Sequence, residues 1–184
     1  MILPRFLRKP RIGTISTLYG MIVAQARMPV FYRDYAVADT VNVRFELIVL
    51  HLALFNRRLA SEPGPMRALG QAVFDLFCRD MDNNLREMGV GDLAVPKEMQ
   101  RIGAAYYGRA LAYDAALAAG DERALTAVIA RNVHGAGVGE PLAARRLAAY
   151  MRACEENLAA QDAAALSRGA LHYPDPAGVG VPTV

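Results

Sequence analysis

A single-domain, all-α bundle of about six helices with short connections is the fold that the sequence predicts. Three observations carry that expectation. Apolar residues recur at intervals of three and four, as in Val95, Met99, Ile102, Tyr106, Ala110, Tyr113 and Leu117, and that period gathers them on one side of a helix. Short Pro/Gly breaks such as "SEPGP" and "GAGVGEP" separate the periodic segments, and no internal repeat or second domain is visible. The 184 residues are 54% hydrophobic and 21% charged, which suits a packed core and not a disordered chain.

Each element has its own signals. Residues 1–12 form a basic N-terminal arm, "RFLRKPR" with flanks, and Thr14–Arg27 reads as the first helix. The arm, "IGTISTLYGMIV" and "AQA" together imitate a signal peptide, but Thr14, Ser16, Thr17 and Tyr19 interrupt the apolar stretch. No window approaches the roughly 18 uninterrupted apolar residues of a membrane span; the longest apolar run, "LIVLHLALF", is broken by His51. Met28-Pro29 ends or bends the first helix, and "VFYRDYAVAD" reads as a short aromatic connector. Asp39 or Thr40 caps the next helix, which runs to about Leu59. Its opening, "TVNVRFEL", alternates Val41, Val43, Phe45 and Leu47 with polar residues like a strand, but the apolar pattern continues to Phe55 without a turn, so a helix is expected.

Pro65 starts a long helix to about Met88, with Met66, Leu69, Val73, Leu76 and Phe77 on one face and Gly89 closing it. Pro96 opens the next helix and Gly120 stops it; Asp121 caps "ERALTAVIARNVHG". A last long helix runs from Pro141 to about Ser167. The helical domain therefore spans 13–168, and residues 169–184 read as a flexible Pro/Gly tail that buries little.

Several functions are excluded by what is missing. The net charge is +3, the arginines are scattered and no basic run interleaves with aromatics, so nucleic acid is not an expected partner. Cys78 and Cys154 are the only cysteines and read as buried thiols in a reducing compartment. His51, His134 and His172 lie on separate elements, and His51 reads as a satisfied core histidine before it reads as a haem ligand. No GxSxG, P-loop or strand-linked GxGxxG occurs. No catalytic residue, metal or cofactor is expected.

The least ordinary stretch is "FCRDMDNNLREMGVGDLAVPK", with Asp80, Asp82, Asn83, Asn84, Glu87 and Asp92 crowded against a turn. As a calcium loop it lacks the glycine at position six and the glutamate at twelve. Asp80 and Asn84 share a helix face, as in the acid-rich helices of all-α terpenoid synthases, but no second acidic cluster exists to complete a magnesium site. The expectation is that both point toward other helices and take an arginine or tyrosine from "YYGRALAY" as partner, while Asp92 bonds backbone donors at the start of that helix. Gly20 and Gly108 sit inside helices, each at a cost of about 1 kcal/mol against alanine, and close approach of a neighbouring helix is the expected reason. Tyr107, Arg109 and Tyr113 surround Gly108, and tyrosine and arginine are favoured where proteins bind one another.

Three segments carry a resemblance to a known family: "FYRDYAVADTVNVRFELIVLHLALFNRRL" at 31–59, "LREMGVGDLAVPKEM" at 85–99 and "YYGRALAYDAAL" at 106–117. Over about residues 15–120 the chain resembles the ubiquinol–cytochrome c chaperone family, assembly factors of respiratory complex III. The resemblance implies an all-α, non-enzymatic chaperone that binds newly made cytochrome b. Asp80, Asp82, Arg86, Glu87, Gly89, Asp92, Pro96, Tyr107, Gly108, Arg109 and Tyr113 are the motif or client-binding candidates. Mitochondrial members work with a small partner protein and at the ribosome. No mitochondrial presequence is read here, so a bacterial member is expected, cytoplasmic and peripheral on the inner face of the inner membrane, with the need for a small partner left open. Arg5, Arg8, Lys9 and Arg11 before an apolar helix suit weak contact with an anionic membrane surface. Two alternatives stand beside this reading: a magnesium-dependent all-α enzyme acting on an isoprenoid or quinone, and a haem- or lipid-carrying helical protein.

Overall fold

The helix with the longest apolar run becomes the centre of the molecule. In the computed structural model, which describes residues 12–135 and 141–180, α3 (Val41–Ala60) buries every residue from Glu46 to Phe55. A helix apolar all round has no face to give to water, so other helices must surround it. Those are α1 (Ile12–Ala26), α4 (Gly64–Glu87), α5 (Val95–Ala118) and α7 (Pro141–Ala160), all of which pack against α3. Between them lie α2 (Pro29–Asp34), α6 (Glu122–Ile129) with a π-helical turn at Ala130–Gly135, and α8 (Ala163–Leu166). A single 3₁₀ turn, Pro176–Gly178, follows. Six of the helices have eight residues or more, and no strand occurs among the described residues, as the all-α expectation requires.

The caps explain the boundaries. Thr40 Oγ1 accepts from the Val43 N–H at 3.3 Å, so Thr40 is the cap of α3, while Asp39 pairs instead with Arg44 at 2.6 Å. The strand-like alternation is overridden: Val41 is exposed, and Val43 and Phe45 are half-buried on a helix. Asp121 accepts from the Ala124 N–H at 2.9 Å and starts α6. Gly89 ends α4 at φ +85°. Its N–H reaches Arg86 O at 2.9 Å and the Val90 N–H reaches Leu85 O at 3.0 Å, the paired bonds of a Schellman end. Along α5, Val95, Tyr106, Tyr113 and Leu117 are buried, and Met99, Ile102 and Ala110 are half-buried beside them.

Three expectations need correction. The aromatic connector is partly helical, because Pro29 supplies a preset φ for the first turn of α2 and Val30 and Phe31 bury. The last helix does not run to Ser167. It stops at Ala160, and Asp162 turns its carboxylate on the Ala164 N–H at 3.0 Å to cap the separate α8. Most consequential, residues 169–180 are not a loose tail. Leu171 and Pro176 are buried, and Tyr173 Oη donates to the His51 carbonyl at 2.9 Å. The basic arm at 1–12 falls outside the described residues except for Ile12, which already belongs to α1.

The histidine at the centre of α3 is satisfied. His51 is fully buried. Its Nδ1 bonds Leu47 O at 2.7 Å and its Nε2 bonds Tyr150 Oη at 2.9 Å, so neither nitrogen is left for a haem iron. Burial holds its pKa down at about 4, so the ring is neutral at physiological pH. Cys78 is half-buried and Cys154 buried, both free thiols; burial pushes the Cys154 thiol up to about 12, which leaves it unreactive.

Candidate interaction face

The acid cluster separates into two unconnected groups. Asp80 faces α1, where its Oδ2 accepts from Tyr19 Oη at 2.6 Å. Burial and this bond hold the Tyr19 hydroxyl well above the usual phenol range. Asn84 stays on its own helix and donates to Asp80 O at 2.7 Å. The expected partner from α5 is thus replaced by a tyrosine from α1, because this side of α4 packs on α1. On the outer side, Arg86 bonds Asp82 at 2.7 Å and also reaches Asp92. Asp92 therefore clasps the turn through a side chain and does not cap α5, whose first residues have no side-chain cap. Glu87 and Pro96 are exposed beside this clasp. Among the described residues, no group of three or more His, Cys, Asp or Glu side chains has the arrangement to hold a metal.

The second motif divides differently. Arg109 Nε and one terminal nitrogen each bond a Glu46 carboxylate oxygen at 2.6 Å, a two-pronged pair with α3. Glu46 is only 6% exposed. Tyr113 is buried one turn further along, and burial, then the Glu46 charge, raise its hydroxyl pKa. Arg109 and Tyr113 are therefore frame, not open surface. Tyr107 and Gly108 point the other way: Tyr107 is 59% exposed and Gly108 exposed.

Four residues after Tyr107 stands Leu111, 72% exposed and on the same helix face. Ala104, Ala115 and Ala118 are exposed on that face too. The strip from Ala104 to Ala118 is about 21 Å long at 1.5 Å per residue. Beside it lies an open groove of about 240 Å³ lined by Asn56, Leu59, Gly70, Phe74, Tyr106 and Tyr107, among others. Asn56 Nδ2 donates to Tyr106 Oη at 2.8 Å within it, and the Phe74 and Tyr107 rings lie 5.5 Å apart. At the α4–α5 turn, Met88 and Leu93 are 60% and 98% exposed.

The glycines sharpen the picture. A Cβ at Gly70 would meet Asn56 Oδ1 at 2.7 Å, so this glycine leaves room for the Asn56 side chain that reaches from α3 to Tyr106. A Cβ at Gly20, Gly103 or Gly108 would meet nothing within 4 Å. The close neighbour expected at Gly20 and Gly108 is thus not found among the described residues. Leu111, Leu93 and Phe74 were missed by sequence reasoning. The signal for Leu111 was present: it is a large apolar residue that falls off the 95–117 stripe and aligns with Tyr107. Apart from Asp114, which is exposed on the same face and paired with Arg57, the strip is apolar and small-residued. Such a face can receive an apolar helix closely, and exposed apolar patches of this kind mark interaction sites.

Comparison with known proteins follows the same line. The family described as ubiquinol-cytochrome C chaperone matches residues 33–173. The crystal structure of the Cbp3 homolog from Brucella abortus superposes with a TM-score of 0.84 at 38% sequence identity, covering 91% of this chain and 92% of that one. No curated protein matches the chain.

Proposed function

Because the chain belongs to the ubiquinol-cytochrome C chaperone family, we propose that it is a non-enzymatic assembly chaperone of the ubiquinol–cytochrome c reductase complex, and that it holds newly made cytochrome b. The observation that carries this is the uncovered face of α5, where Tyr107 and Leu111 stand 59% and 72% exposed beside an open groove. A membrane protein awaiting insertion presents apolar helices, and its chaperone needs an apolar surface to cover one. The face of α5 has that character, and Gly103 and Gly108 let a client helix come close. The other motif residues divide their labour. Asp82, Arg86, Gly89, Asp92 and Pro96 shape the turn at the end of the face, with Glu87 beside it. Asp80, Arg109 and Tyr113 fix α4 and α5 against α1 and α3.

A photo-crosslinking amino acid at position 107 or 111 tests the assignment. Crosslinks to cytochrome b are expected from both positions and from none on the opposite side of the bundle. A Leu111→Asp variant that keeps its melting temperature should lose client capture; capture at the wild-type level contradicts the proposal.

No helix among the described residues is long and apolar enough to cross a membrane. Contact with the inner face of the inner membrane is proposed through the basic arm, supported by "RFLRKPR" ahead of α1. Flotation with anionic vesicles should recover the protein at low salt and lose it at high salt. Equal recovery after deletion of residues 1–11 contradicts that contact.

A further inference from the structure

The segment Ala170–Val179 is held mainly by side chains of other elements, which reach for its backbone. It forms no main-chain ladder with a neighbour. The Gln161 amide takes both polar atoms of His172, donating to its carbonyl at 2.6 Å and accepting from its N–H at 3.0 Å. Gln25 of α1 donates to Pro174 O at 3.1 Å. Tyr35, just past α2, donates to Pro176 O at 2.7 Å. In return the segment inserts three side chains: Leu171 is 1% exposed, Pro176 is buried, and Tyr173 sets its ring edge-on to His51 at 5.1 Å. His172, Asp175 and Ala177 remain exposed.

This is the logic of a peptide in a groove. Donors aimed at a ligand's carbonyls recognise an extended backbone whatever its sequence, and pockets for alternate side chains supply the selectivity. The seat is built independently of its tenant. Gln25 also donates to Tyr150 Oη at 2.9 Å, and Phe31 packs on Tyr150 at 5.1 Å, so the donors and aromatic walls are tied to α1, α2, α3 and α7. The Ala170 N–H closes α8 on Ala165 O at 3.1 Å, and the turn at Pro176–Gly178 carries its own bonds. Beyond Ala170 no main-chain to main-chain bond ties the segment to another helix, so residues 171–179 can lift as a unit about that hinge.

We propose that residues 170–179 are the resident occupant of an extended-peptide groove, and that an extended partner segment of the pattern Leu-x-Tyr-x-x-Pro takes the same seat when the strap lifts. The inference is independent of cytochrome b capture on α5, which lies on other residues. The resident strap competes with the incoming segment, so apparent affinity is the intrinsic affinity scaled by the fraction of open molecules.

The test uses the full chain and a fluorescent synthetic peptide of residues 169–180. Wild type should bind it weakly. Tyr173→Ala loosens the resident strap and should bind the peptide at least about tenfold more tightly by that competition. A peptide with alanine in place of its tyrosine should not bind. Gln161→Ala weakens the seat itself, so it should free the strap without gaining peptide affinity, and it keeps the test open if Tyr173→Ala fails to fold. In hydrogen exchange, the His172 amide should open at least about 100-fold more often than the amides of α3 in wild type, and more often again in Gln161→Ala. A folded Tyr173→Ala that binds the peptide no better than wild type overturns the proposal. So does a strap that exchanges only together with α3.

Discussion

Arg109 is fastened to Glu46 by two 2.6 Å bonds, and Glu46 is 6% exposed. Removing the cation leaves a carboxylate buried alone, so Arg109→Ala should destabilise the protein by about 3 kcal/mol, read by urea unfolding. Replacing both partners with apolar residues of similar volume should cost much less. His51 makes a pH prediction. Its folded pKa lies at about 4, below the ordinary 6.5, because burial disfavours the charged ring. Between those values the unfolded chain takes up a proton that the folded chain refuses. Stability from this group is therefore complete above pH 6.5 and falls by about 3 kcal/mol as pH drops toward 4. Unfolding at pH 7 and pH 4.5 measures the fall, and His51→Gln should flatten it. The core role of His51 was legible from its apolar run. The partner of Arg109 was not, because Glu46 lies 63 positions earlier and nothing local states how α5 crosses α3.

The elements were legible where a backbone signal ends them and opaque where side chains from afar decide. Thr40, Gly89 and Asp121 close or open their helices by local chemistry; the boundaries at Gly89 and Asp121 could be read from the residues alone, and that of α3 only as Asp39 or Thr40. The strap at 169–180 looked idle because Pro and Gly forgo regular structure; the bonds that hold it come from Gln25, Tyr35 and Gln161 on remote elements. The glycines give opposite predictions at this scale. Gly108→Ala adds a Cβ with nothing within 4 Å, so it should stabilise α5 by about 1 kcal/mol, while the added bulk weakens client capture. Gly70→Ala drives a Cβ to 2.7 Å from Asn56 Oδ1 and should destabilise the protein. Thermal melts of the two variants should shift in opposite directions.

At the scale of the whole molecule, one bundle presents two unlike surfaces. The side bearing α1, α2 and α7 closes over a polar and aromatic centre and is strapped shut. The α5 side leaves Tyr107, Leu111 and a groove uncovered. That asymmetry suits a protein that must stay folded while it exposes apolar surface to a client. The amount of assembled ubiquinol–cytochrome c reductase in a strain lacking this gene tests the account most directly, with wild type or Leu111→Asp restored at equal abundance. The account predicts that the complex is lost in the deletion, recovered with wild type and not with Leu111→Asp, while the other respiratory complexes stay at their normal level. A full complement of the reductase in the deletion strain would contradict it.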